Sequence, residues 1–199
     1  MNTLKAEKRS MDVKAKKLRR EGYVTGNLFG REIEGSIPLK FTKKEIEALL
    51  KNNNKGSQVM LELDGKTYDA LIKEVDYNPL AHVVEEVDFQ ALVSNEMVHS
   101  TAEIILENEE KVISGVLQDE LKEVAYKAFP ADLVDKIKVD VTGMKIGDTL
   151  RVKDLEIAKN KNIHITTDLD AVIATVTAVH NVVPETETDT EAEGTAEEK

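Results

Sequence analysis

Asp64-Gly65 stands between two runs that alternate apolar and polar residues, 58–63 (QVMLEL) and 66–75 (KTYDALIKEV). A type I′ turn needs positive φ at both central residues, and Asp-Gly supplies it at little cost. The pair of runs is therefore a hairpin, and the sequence around it has to be read as β structure. Only 4% of the residues are aromatic and none is Trp, while 41% are hydrophobic. Valine, isoleucine and leucine must fill whatever core forms.

On either side of the hairpin the pattern is mixed. Residues 3–9 (TLKAEKR) alternate loosely, as a first strand would. Residues 13–20 have helical composition and end at Gly22, placed as a C-cap. Residues 24–29 read as a short strand or extended loop, and 36–41 (SIPLKF) as another strand. Thr42 followed by Glu45 is a capping box, and Ile46, Leu49 and Leu50 make the apolar stripe of the helix it starts. Asn78-Pro79 breaks the strand after the hairpin, and residues 83–93 resume an extended run. Residues 1–93 thus form a compact mixed β-domain with one or two helices. Residues 94–98 (SNEMV) are the expected junction.

From Thr101 the pattern is almost wholly β, in the segments TAEIILE, VISGVL and ELKEVAYKAF, with a turn at residues 108–111. Residues 130–134 allow one helical turn. KIKVDVTGMKIGDTLRVKDL then alternates, punctuated by Gly143 and Gly147, and residues 163–167 and 172–183 supply the last strands. This second unit, 94–184, is expected to be all-β. After Pro184 nothing remains to bury, so residues 185–199 are expected to be a disordered acidic tail.

Charge divides the chain differently. The formal net charge is -11, yet residues 1–55 carry fourteen Lys/Arg against seven Asp/Glu, and residues 56–184 carry twelve against twenty-four. Five of the cations, Lys14, Lys16, Lys17, Arg19 and Arg20, fall within seven residues. A positive cluster on an acidic protein suits phosphate, although many charge runs are only solvated helix faces. Phe29 follows shortly after, at a place where core packing is the commoner role of a phenylalanine than base stacking. If Arg19 and Arg20 are exposed, reversing their charge should spare the fold.

Catalytic patterns are absent. Gly65-Lys66-Thr67 ends like a phosphate loop, but Met60 stands where the first glycine is required. Gly26/Gly30 and Gly143/Gly147 lack dinucleotide-binding spacing. His82, His99, His164 and His180 are far apart in sequence, and no carboxylates are marked as an acid–base pair. With no Cys there is no disulfide, thiolate metal site or cysteine nucleophile, which suits a reducing cytosol. The N-terminus has no apolar signal region, and no stretch is long enough to span a bilayer. The expectation is a soluble, cytoplasmic, non-enzymatic protein with no cofactor, metal or small-molecule substrate and no membrane partner.

KAKKLRREGYVTGNLFG (14–30), LDGKTYDALIKEVDYNP (63–79) and VDF (87–89) resemble, in order, segments of the bacterial ribosomal large-subunit protein twenty-five family. There they stand at the places of a basic run ending in Tyr-Gly, a strand–Asp-Gly–strand unit with Val-Gln-Arg-His-Pro, and His-Ile-Asp-Phe. KVDVTGMKIGDTLRVKDLEI (138–157) and DLDAVIATV (168–176) look like the second β-domain of the longer, general-stress form. The resemblance implies an N-terminal β-barrel with a few helices, a second β-domain and no catalysis. It also implies a monomer off the ribosome that binds 5S rRNA and neighbouring proteins in the central protuberance of the large subunit. Carried over by position, the RNA contacts are Arg9, Lys14, Lys16, Lys17, Arg19, Arg20, Phe29, Asp76, Asn78, Glu86 and Asp88. The chain departs from the pattern at Asp76 and Glu86, where Gln and His are usual, at Phe29 in place of Tyr, and at Val13 and Thr25 in place of Gly and Pro. A carboxylate cannot donate to phosphate and is repelled by it. Those departures imply a second reading, a stress-linked adaptor of the same fold with weakened RNA affinity and an acidic, protein-binding second domain.

Overall fold

The computed structural model describes residues 3–178. The acidic tail and the end of the last expected strand, 179–183, lie outside the described residues. Six strands close into a barrel: β1 (Thr3–Lys8), β2 (Tyr23–Phe29), β3 (Ser36–Thr42), β4 (Gln58–Leu63), β5 (Lys66–Asn78) and β6 (Val83–Ala91), in the order β1-β3-β2-β6-β5-β4. The β4–β5 hairpin turns as its sequence requires, with φ of 50° at Asp64 and 78° at Gly65. Closure depends on pairings between strands distant in sequence. β1 runs parallel to β4 (Leu4 opposite Leu61), and β2 runs parallel to β6 (Leu28 opposite Phe89). Inward positions alternate along every strand: Leu4 and Ala6, Val24 and Leu28, Leu39 and Phe41, Val59, Leu61 and Leu63, Ala70 and Ile72, Val87 and Phe89. Phe41 and Phe89 meet inside with their rings tilted at 55°, 5.4 Å between ring centres.

Helix α1 (Ala15–Arg20) links β1 to β2 and starts two residues later than its composition suggests, with no side-chain cap at Lys14. Helix α2 (Lys43–Leu50) begins at the predicted capping box, where the Thr42 hydroxyl accepts from the Glu45 amide and the Glu45 carboxylate accepts from the Thr42 amide. Its Ile46 and Leu49 are buried and complete the barrel core.

The remaining strands form two small sheets. β7 (Val98–Glu107), β9 (Glu123–Ala128), β10 (Lys136–Asp140) and β12 (His164–Ile165) lie in the order β10-β7-β9-β12. β8 (Val116–Asp119), β11 (Thr149–Arg151) and β13 (Val172–Thr177) lie in the order β11-β13-β8. One apolar cluster, including Ile104, Val124, Tyr126, Ile137, Val152, Leu155, Ile173 and Ala174, joins the two sheets. The expected VISGVL strand is reduced to its end, since residues 113–115 bend. Residues 152–159 form two 3-10 turns, Val152–Asp154 and Glu156–Lys159, that bury Val152 and Ile157. These turns were not legible, because apolar residues two to three apart fit a strand and a tight turn alike.

The loop between α2 and β4 touches the β7–β9–β10 sheet. Gly56, with φ of 89°, lies so close that a Cβ there would be 1.8 Å from the Thr101 carbonyl oxygen. Buried Ser57 donates to Asp135 at 3.1 Å, the Asn54 amide donates to Glu103, and Lys73 donates to the His99 carbonyl at 2.8 Å. These contacts are few beside the two separate apolar cores.

Two outcomes are expected. We propose that residues 1–93 and 94–184 fold as separate units, so residues 1–93 expressed alone should give a well-dispersed amide spectrum; a collapsed spectrum means the barrel needs the junction. The second concerns Tyr126, fully buried, whose hydroxyl donates to the Val134 carbonyl at 2.7 Å and accepts from the Val134 amide at 2.8 Å. Tyr126→Phe leaves both backbone groups unpaired, a loss of about 1–3 kcal/mol, read as a melting midpoint lower by roughly 2–4 °C per kcal/mol. Burial raises the Tyr126 hydroxyl pKa above its ordinary 10.0. The protonated hydroxyl therefore stabilises the fold below that pH, and this contribution is lost as pH rises through the folded value. The gap between wild type and Tyr126→Phe should narrow in strongly alkaline buffer.

Candidate nucleic-acid interface

α1 seats Leu18 against the barrel and leaves Lys14, Lys16, Lys17 and Arg20 in solvent. Lys17 makes a loose surface pair with Glu21 at 3.9 Å, worth a few tenths of a kcal/mol. Lys14, Lys16 and Arg20 enter no ion pair among the described residues. Arg9 sits just before α1, half-buried. It donates from Nη2 to the Val13 carbonyl at 3.2 Å, which ties down the approach to the helix, while its buried Nε has no partner among the described residues.

Arg19 differs from its neighbours, and its assumed exposure needs correcting. Its side chain is only 30% exposed, and the guanidinium is held by the barrel. Nη1 lies 3.2 Å from Glu85 and Nη2 lies 3.0 Å from Glu86, while Nε donates to the Glu85 carbonyl at 3.1 Å and Nη2 to the Thr25 hydroxyl at 3.3 Å. A β-bulge makes this possible. Asp76 pairs with Glu86 and Tyr77 with Val84, so Glu85 is an extra residue in β6. An extra residue breaks the two-residue alternation. Two consecutive glutamates therefore reach the same guanidinium. Glu85 was missed in the sequence because nothing local announces the bulge.

On β2, Val24 and Leu28 point into the barrel, so Thr25, Asn27 and Phe29 line the outward side. Thr25 is nonetheless fully buried, beneath Arg19. Parallel pairing of β2 with β6 sets this row beside Glu86 and Asp88. The Asn27 amide N–H donates to Asp88 at 3.0 Å, and its side-chain NH2 donates to Asp88 at 3.0 Å and Glu86 at 3.3 Å. Phe29 is half-buried and outside the barrel core, not the packed phenylalanine expected. Asp76 is exposed opposite Glu86. Asn78 donates to Glu85 at 2.8 Å and accepts from the Leu80 and Ala81 amides, which closes the β5–β6 turn.

The sequence-derived residues thus fall into two surfaces that adjoin at Arg19. One is the free cations of α1. The other is an outward barrel face on which Asp76, Glu85, Glu86 and Asp88 outnumber one arginine. Cations attract phosphate, whereas carboxylates repel it but accept hydrogen bonds from base amino groups. Among the described residues no cluster of His, Asp and Glu is arranged to hold a metal ion.

Residues 4–89 match the Ribosomal L25p family, and residues 97–180 match the C-terminal domain of ribosomal protein TL5. The chain is similar to the large ribosomal subunit protein bL25 of Carboxydothermus hydrogenoformans, 31% identical over 91% of this chain and 94% of that one. It is also similar to that of Thermoanaerobacter sp., 30% identical over 82% of each chain, and to that of Akkermansia muciniphila, 31% identical over 89% of each. With both halves matched in order and most of each chain covered, this chain belongs to the bL25 family of large ribosomal subunit proteins, in its long two-domain form.

Proposed function

We propose that this chain is a non-catalytic constituent of the bacterial large ribosomal subunit, located in the cytoplasm, that binds 5S rRNA in the central protuberance and is a monomer when free. Family membership supports the ribosomal role. The observation that carries the RNA contact is the row of unpaired cations, Lys14, Lys16 and Arg20, on a helix whose other side is anchored by Leu18. Phosphates approaching α1 meet cations on a backbone that is already placed, so only side-chain ordering opposes binding. The adjoining β2–β6 face then meets bases or riboses, to which Glu86, Asp88 and Asp76 offer acceptors and Phe29 a partly exposed ring.

A second reading has its own support. Four carboxylates on that face, two of them occupying Arg19, weaken attraction to any polyanion. The alternative is an adaptor of the same fold that reaches the ribosome mainly through protein contacts.

Binding to a 5S rRNA fragment separates the two. Replacing Lys14, Lys16 and Arg20 by Gln should reduce affinity at least about tenfold and flatten the slope of log K against log salt by roughly 2–3. Unchanged affinity in folded protein favours the adaptor. Glu85→Gln with Glu86→Gln should act in the opposite direction. It frees Arg19 and removes two negative charges, so RNA affinity should rise several-fold, at a stability cost above the roughly 1 kcal/mol of a surface pair. Arg19→Glu, by contrast, places three carboxylates together and should lower the melting midpoint clearly more than Arg20→Glu does; equal midpoints mean the Arg19 pairs contribute nothing.

A further inference from the structure

Where the α2–β4 loop meets the β7–β9 sheet there is a cleft of about 280 Å³. It is separate from the α1 surface, and its charge is opposite to that of the protein as a whole. Lys55 enters from the loop, Lys73 from β5 and His99 from β7. Lys127 of β9 is the cross-strand partner of His99, and His164 of β12 is the partner of Lys127, so basic side chains continue along the sheet.

Lys73 owes its position to a second bulge. Ile72 pairs with Phe89 and Glu74 with Asp88, so Lys73 is the extra residue of β5. Its ammonium reaches the His99 carbonyl at 2.8 Å and keeps further N–H donors. The contact of Gly56 with the Thr101 carbonyl fixes the two walls at close range. The carboxylates that face this group are Glu74 on the cleft wall and Glu123, which lies 3.7 Å from Lys55 with both side chains about half exposed. Against these two carboxylates stand Lys55, Lys73 and, beside His99, Lys127, which leaves one positive charge in excess. Burial and then Lys55 hold the Lys73 ammonium below its ordinary pKa, and burial, then Lys127 and Lys73, hold the His99 imidazole below its own. Burial is the larger cause in both, and an anion among these groups would relieve the part due to like charges.

We propose that this cleft is a phosphate-binding site, in which Lys55 and Lys73 supply charge from the walls, Lys127 adds to it from beside His99, and His99 is a further donor. Its volume lies just under the range usual for small-molecule pockets, about 300–1,000 Å³. That suits one phosphate with its sugar, as presented by an RNA backbone, better than a large free cofactor. The site does not depend on α1 contacting RNA.

The test is an NMR titration of the full-length protein with inorganic phosphate, chloride being withdrawn to keep ionic strength constant. The His99 imidazole should show a saturable shift, and its titration midpoint should rise, while that of His82 stays put. Lys127→Gln, exposed and without contacts across the junction, should weaken phosphate binding at least about threefold, and Lys73→Gln more; Lys17→Gln on α1 should leave it unchanged. An RNA oligomer with hydroxyls at both ends that displaces phosphate from His99 identifies backbone phosphate as the source, and failure to displace identifies free phosphate. Unsaturable shifts shared equally by His99 and His82, or Lys127→Gln and Lys73→Gln both binding like wild type, overturn the site.

Discussion

Closure of the barrel by parallel pairing is the constraint on which the rest depends. β1 and β2 are joined by only a short basic linker, yet β3 separates them in the sheet, so α1 has to cross the outside of the barrel. The helix is too short to be stable alone. It persists because Leu18 packs on the barrel and Arg19 is fastened to β6. The exposed cations are thus positioned by a hydrophobic contact and an ion-pair cluster, not by any helical propensity of their own. An anchored cation loses less freedom on meeting phosphate than one on an unfolded segment.

What could be read in the sequence was local. The Asp64-Gly65 turn and the Thr42/Glu45 capping box lie within a few residues, and the structure contains both. The pairings β1–β4, β2–β6 and β7–β10 are parallel and join segments 30 or more residues apart in the chain. No periodicity encodes a partner, so the closed barrel came from family resemblance alone. The bulges at Lys73 and Glu85 were equally hidden, since each reveals itself only as a mismatch of register with the neighbouring strand. Both bulges have consequences for chemistry: one directs a second glutamate to Arg19, the other directs a lysine into the interdomain cleft. The basic run itself was plain in the sequence, but which of its members is free was not. Arg19 is distinguished from Arg20 by a strand more than sixty residues away.

Asp76 and Glu86, where the family resemblance implies Gln and His, differ in their structural duties. Glu86 accepts from both Arg19 and Asn27, so its carboxylate joins α1, β2 and β6 in one polar network. Removing it would leave a half-buried guanidinium with a weaker partner, which costs more than a surface pair is worth. Asp76 has no such duty; it is exposed, and only its register aligns it with Glu86. Of the two acidic departures, then, Glu86 is tied to the fold and Asp76 is free to respond to what the surface binds.

A net charge of -11 does not forbid contact with a polyanion. At physiological ionic strength charges are screened over about 8 Å, so a phosphate at α1 senses Lys14, Lys16 and Arg20, with the adjoining Glu85 and Glu86, far more than the acidic residues of the second unit. The excess negative charge acts at longer range, where it slows encounter and discourages binding at random along RNA. Local cations with a global negative balance therefore favour a partner whose phosphates are already arrayed to match the helix. In the RNA contact proposed for α1, separation of the two scales would make binding selective for shape before any base is read.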